Sequence, residues 1–147
     1  MPTFKFVIRD KQKSWQVEKD QKECPVFNRK IGDSIDGGFL GLNGYELSIT
    51  GGSDKDGFPM RSDVDGIVKK KILITKGVGF RGMKRVKKKH FEIDGMRKRK
   101  LVRGNAISAD TIQINCKITK AGEKPIGEIF DGGKESEEKK DETENKK

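Results

Sequence analysis

Long apolar runs, cysteines at metal-binding or disulfide-type spacing, and helical periodicity are all missing from this 147-residue chain. No stretch approaches the roughly 18 to 20 apolar residues that cross a bilayer. The opening MPTFKFVIRD has no basic leader followed by an apolar segment, so a cytoplasmic, soluble protein without a membrane partner is expected. Cys24 and Cys116 stand far apart with no CxxC pair, which removes a disulfide framework or a zinc knuckle and leaves two small thiols that pack like apolar groups. With 31% apolar residues against 38% charged, the chain has material for one modest core but not for a multidomain enzyme. The single histidine, His90, lies in a lysine run, and no serine sits in a nucleophile elbow. No catalytic residue, metal, cofactor or small-molecule substrate is therefore expected.

What the chain does have is positive charge, distributed unevenly. Its formal charge is +10, yet residues 69–103 alone hold 15 basic and 2 acidic residues, net +13, while residues 1–68 hold 10 and 11, net −1. A segment this dense repels itself unless a polyanion lies against it, and its interleaved glycines and terminal RKRKLVRG point to nucleic acid.

Strict alternation marks strands. Phe4, Phe6 and Ile8 share a face, and Trp15 and Val17 follow across the polar turn DKQK as an opening hairpin. Tyr45, Leu47 and Ile49 alternate with polar residues, as do Ile112, Ile114, Cys116 and Ile118. Gly66 to Lys76 places Val68, Ile72 and Ile74 on one face, and Lys100 to Gly104 is a weaker strand. Ile31 to Gly37 holds a single helical turn at best. The pattern is all-β and mostly antiparallel. About six short strands are expected to close, or nearly close, into a small barrel over residues 1–130, because closure removes exposed edges; an open sandwich is the alternative. Residues 131–147 contain no apolar side chain and are expected to form a disordered charged tail.

Two motifs suggest ligands, and each has a plainer reading: the glycines of the first give flexibility at the mouth of a long basic loop, and the second is a pair of turns. Gly77 to Gly82 spells GxGxxG after a strand, but no apolar helical stripe comes after it to present an N-terminus to a pyrophosphate. Residues 53–57 and 62–66 repeat SDxDG without the frame of a calcium loop, and Asp-Gly is an ordinary turn pair.

The string ITGGSDKDGFPM, Ile49 to Met60, closely resembles the signature of the small-subunit ribosomal protein six family of the archaeal and eukaryotic type. Ile49, Thr50, Gly51, Gly52, Asp54, Gly57, Pro59 and Met60 fill its fixed positions. RKRKLVRGNAISAD, Arg97 to Asp110, and KAGEKPI, Lys120 to Ile126, resemble further family strings in the same order. The chain is similar to the short archaeal form and lacks the long basic helix and phosphorylated serine cluster of eukaryotic members, so phosphorylation control does not carry over. The resemblance implies a β-barrel in the small ribosomal subunit, bound to ribosomal RNA, beside other ribosomal proteins. A free nucleic-acid-binding barrel outside the ribosome is the alternative, and a nucleotide- or metal-dependent enzyme a remoter one.

Within that reading, a long basic loop of roughly Gly77 to Lys100 neutralises RNA phosphates. Planar Arg81, Arg85, Arg97, Arg99 and Arg103 serve as groove and base-stacking readers, while Lys76, Lys84, Lys87, Lys88, Lys89, Lys98 and Lys100 act as point charges. Phe80 and Phe91 either stack on bases or cap the barrel. In the signature, Gly51, Gly52 and Gly57 are expected to take backbone angles barred to other residues, and Pro59 fixes the next segment. That turn either shapes the barrel only or also presents Lys55 and Arg61 to RNA.

Overall fold

Period-two alternation becomes a five-stranded sheet. The computed structural model describes residues 2–130 except Lys88, Glu123 and Glu128, and of Arg85 and Val86 it describes the backbone alone. Strands β1 (Thr3–Asp10) and β2 (Lys13–Asp20) form the expected hairpin around Lys11 and Gln12. With β3 (Ser34–Asp36), β4 (Glu46–Asp54) and β9 (Thr111–Lys120) they lie in the order β2-β1-β9-β4-β3. The first and last strands, β1 and β9, pair in parallel, with Lys5 opposite Gln113 and Arg9 opposite Lys117; the other pairs are antiparallel. β3 occupies part of the stretch read as a helical turn.

One face of this sheet builds the core. Phe4, Phe6 and Ile8 from β1, Leu47 and Ile49 from β4, and Ile114 and Cys116 from β9 are buried together with Val26, Leu42, Met60 and Ile107. The alternation places every second side chain on that face, so one strand register decides the whole core. Burial pushes the Cys116 thiol up to about 12, which keeps it an inert packing group. Ile126, buried, and Ile129 and Phe130, packed on the core, belong to a short helical turn at the end of the described chain.

The sheet curls but does not close as the expected barrel of six strands. Three register shifts in β4 add twist and bend it into a half-barrel. β2 keeps an open edge. The remaining strands form two separate two-stranded ladders: β5 (Lys69–Ile74) with β8 (Lys98–Arg103), and β6 (Met83–Val86) with β7 (Lys89–Glu92). Val68, read as a buried strand residue, precedes β5 and is exposed. The expected tail, residues 131–147, lies outside the described residues.

The signature is the seam between sheet and ladder. β4 runs on through Gly51 and Gly52 to Asp54 instead of ending at Thr50. Pro59 bridges to Ser53 of β4, and Met60 bridges to Arg103 of β8. Met60 N–H donates to the Gly52 carbonyl at 2.9 Å and Arg103 N–H to the Pro59 carbonyl at 2.9 Å. Gly57 has the expected left-handed φ, +80°. Gly52 is glycine for a different reason from the one read in the sequence: its φ lies outside the left-handed region, but a Cβ there would stand 2.4 Å from the Gln113 carbonyl oxygen.

Candidate nucleic-acid interface

The basic segment is a folded arm. The stretch read as a loop contains the β6–β7 hairpin, flanked by β5 and β8. The antiparallel register sets Lys71 opposite Leu101, Ile72 opposite Lys100, Leu73 opposite Arg99 and Ile74 opposite Lys98. Successive side chains point to opposite faces, so cations emerge from both sides of the ribbon. Lys76, Arg81, Lys84, Lys87, Lys89, Arg97, Lys98 and Arg99 are exposed, and Lys100 is half-buried. Lys70 and Lys71, which motif reading passed over although their lysine run is plain in the sequence, are exposed beside them. Lys76 pairs with Glu92. Arg85 stands opposite His90 in the hairpin, and Lys88 falls outside the described residues.

The two arm phenylalanines part company. Phe80 is buried, where Gly77 and Phe80 exchange backbone hydrogen bonds of 2.8 and 3.0 Å in a tight turn. Phe91 stands opposite Lys84 and is 49% exposed, an aromatic face beside a cation. The chain after Gly82 enters a strand, so the GxGxxG glycines open no helix.

Arg103 sits differently from the reading of it as an RNA contact. At 4% exposure its guanidinium points into the protein. Nη1 donates to Asp54 Oδ2 at 3.1 Å, and Nη2 donates to Asp110 Oδ2 at 2.9 Å and Ser108 Oγ at 3.1 Å. Asp54 is buried as well. Its Oδ1 accepts the Asp56 and Phe58 backbone N–H groups at 3.0 and 2.9 Å, while Lys69 lies 3.2 Å from Oδ2 and also pairs with Asp56. Burial pushes the Asp54 carboxyl up, but the hydrogen bonds from Phe58, Lys69, Arg103 and Asp56 outweigh it and hold the group below the usual carboxylate range. Asp110, bonded by Arg103 and Lys55, is lowered to about 2. Asp54 thus ties the signature turn to both strands of the arm's base, Lys69 on β5 and Arg103 on β8. Sequence reading missed this role because Arg103 stands 49 positions away and no local pattern joins the two.

The remaining signature cations are also engaged. Arg61 grips Asp63 with Nε at 2.8 Å and Nη2 at 2.7 Å, and its Nη1 donates to the Val78 carbonyl at 2.8 Å. It clamps the signature loop to the arm's first turn, and its fork holds Asp63 below the usual carboxylate range. Lys55 lies 3.0 Å from Asp110 and keeps an exposed side chain.

The family model of ribosomal protein S6e matches residues 4–131 of this chain. The chain belongs to the ribosomal protein S6e family. Relatives named small ribosomal subunit protein eS6 include those of Methanosphaera stadtmanae, 44% identical over 92% of this chain and 98% of the relative, and Methanothermobacter thermautotrophicus, 44% identical over 90% and 98%. The relative of Methanocaldococcus jannaschii is 41% identical over 94% of this chain and all of its own length. S6e proteins are structural, non-enzymatic ribosomal proteins, and in this S6e chain the acidic turns serve folding: Asp54 holds the arm, and Asp63 holds Arg61. No helix among the described residues is long and apolar enough to cross a membrane.

Proposed function

We propose that this S6e chain is a structural constituent of the small ribosomal subunit, in the cytoplasm, and that its arm holds ribosomal RNA beside neighbouring ribosomal proteins. One observation carries this reading: in the segment of net +13 most of the described cations face solvent, with Arg103 turned inward and Lys69 and Lys100 half-buried, while the core cluster takes no described residue from it. The contact set is the exposed arginines and lysines of the β5–β8 ladder and the hairpin, with Arg85 assigned by its backbone position in β6 and Lys88 by the lysine run in the sequence. Phe91 offers a stacking face to an unpaired base. Lys55 lies at the edge of the set. Buried Arg103 and half-buried Arg61 hold the arm in place through their own carboxylate and carbonyl partners.

Phosphate contacts release counterions, so binding to small-subunit ribosomal RNA should fall steeply with salt. Replacing Lys84, Lys87 and Lys89 by glutamine should flatten the log–log salt slope by about 2 to 3, at roughly 0.7 to 0.9 per lost contact. An unchanged slope would count against the arm. Co-sedimentation with the small subunit through a high-salt gradient separates a ribosomal constituent from a free RNA-binding module, which would be left at the top.

A further inference from the structure

A second group of cations gathers on the five-stranded sheet, away from the arm. Alternation along β1 and β9 turns Arg9 and Lys117 away from the core, and the parallel register sets them side by side. Lys11 of the β1–β2 turn and Lys13, the first residue of β2, stand beside them. All four line a groove of about 1030 Å³ over the outward sheet face, with Asp10 as its one carboxylate. Like charges side by side on a sheet are unfavourable unless something compensates them. Among the described residues, no carboxylate reaches ion-pair distance of any of the four, whereas Lys5 on the same face is paired with Glu18 at 2.9 Å.

The groove also has direction. Thr50 and Asn115 line both it and a second depression of about 530 Å³, which continues past Gly51 and Gly52 to Arg61 and Val78 at the arm's root. Gly51 lies on that path at a register shift of β4; its φ is outside the left-handed region, and a Cβ would meet nothing within 4 Å, so no packing contact requires it to be glycine. The absent side chain leaves bare backbone where a bulky partner can come close. Among the described residues, none of the exposed large hydrophobics lines the groove; its apolar lining is Val7, Cys116 and Ile118, set half-buried or buried in the sheet, so it offers no protruding apolar anchor of the kind on which protein partners concentrate their binding energy. The Ser14 hydroxyl and the Asn115 side-chain N–H groups offer donors there instead, while the Thr50 hydroxyl donates to the Asn115 carbonyl at 3.0 Å.

We infer that this outward sheet face is a second contact for the RNA backbone, with Arg9, Lys11, Lys13 and Lys117 neutralising phosphates and Gly51 the point of closest approach on the way to the arm. The inference rests on the arm holding RNA, because the groove then continues a track that RNA already occupies.

The two contacts can be tested apart. The fourfold variant Arg9→Gln, Lys11→Gln, Lys13→Gln, Lys117→Gln alters exposed side chains only and should keep the wild-type melting curve. Its salt slope for ribosomal RNA should be lower by about 3, and combining it with the arm triple variant should add the two reductions. A lowered slope in the arm variant with a wild-type slope in the groove variant would overturn the groove and leave the arm standing; wild-type slopes in both would overturn both. Gly51→Leu should melt like wild type and bind RNA on the order of tenfold more weakly, because the side chain fills the approach path. Wild-type binding by that variant would refute close approach at Gly51. A measurement on the unaltered protein removes dependence on any variant's folding: Lys11, Lys13 and Lys117 should be protected from acetylation in the complex with RNA alone. Full reactivity there, or protection that appears only in the assembled subunit, would overturn an RNA contact, the latter by assigning the face to a protein.

Discussion

An arginine at the end of RKRKLVR has the local surroundings of a nucleic-acid ligand, yet Arg103 turns inward to Asp54, Asp110 and Ser108. Its neighbour Arg99, on the same strand, faces solvent. Truncating one partner of a buried ion pair leaves the other charge uncompensated, so Arg103→Met should lower unfolding free energy by about 3 to 5 kcal/mol, against about 0.5 kcal/mol or less for Arg99→Met. Urea denaturation of the two variants checks this, and RNA binding by the folded Arg99→Met protein should show the larger loss per unit of stability. The same network makes stability depend on acid. Asp54 and Asp110 titrate below their unfolded value in the folded protein, so their contribution is complete above that value. It is lost as pH falls from about 4 towards 2, where Asp110 itself titrates. Denaturation midpoints between pH 5 and 2 should fall for the wild type and fall less for Asp110→Asn.

Among the elements, β6 and β7 stand out as a hairpin none of whose described side chains joins the core cluster and which yet sits at the centre of the charge. Replacing Met83–Glu92 by a short Gly-Ser linker should leave the thermal stability of the body within about 0.5 kcal/mol of wild type, since closing a loop costs little and no buried contact is removed. RNA affinity should drop sharply in the same variant. A body that unfolds without the hairpin would show that the arm is structural. β4 behaves in the opposite way, because it carries both core residues and the signature. Gly52→Ala drives a methyl group against the Gln113 carbonyl and should destabilise the β4–β9 pairing by about 1 to 3 kcal/mol, read as a lower denaturation midpoint.

For the whole molecule, β1 and β9, the first and last described strands, are parallel neighbours in the middle of one sheet. This makes the stretch up to Phe130 part of the body. Tyr45 donates its hydroxyl to the Lys124 carbonyl, and Ile126, Ile129 and Phe130 cover the core. Ending the chain after Lys124 should therefore cost about 2 to 4 kcal/mol, by the scale of removing buried apolar side chains. Ending it after Phe130 should leave the melting temperature unchanged, because residues 131–147 hold 7 acidic and 5 basic residues and nothing apolar to bury. If the acidic tail competes with RNA for the arm, that truncation also tightens binding slightly at low salt, an effect that vanishes as salt screens it.

The sequence by itself determined the core strands and the chemistry of the arm, but not β3, β6 or β7, whose stretches read as a helical turn and a loop. Period-two burial at Phe4, Phe6 and Ile8, at Leu47 and Ile49, and at Ile114 and Cys116 is a local property that tertiary packing only has to accept. The clustering of 15 basic residues in one segment is legible for the same reason, since it involves neighbours in the chain. Pairing was decided by the tertiary structure. Nothing in the alternation of β1 or β9 states that they lie in parallel, and that pairing brings Arg9 beside Lys117 and creates a basic groove in a region whose linear charge is near zero. Closure was decided there too: the sheet curls at the bulges of β4 and leaves β2 open, because register shifts depend on the partner strand. Arg103 obeyed the same constraint, for a charge goes inward only where distant carboxylates await it.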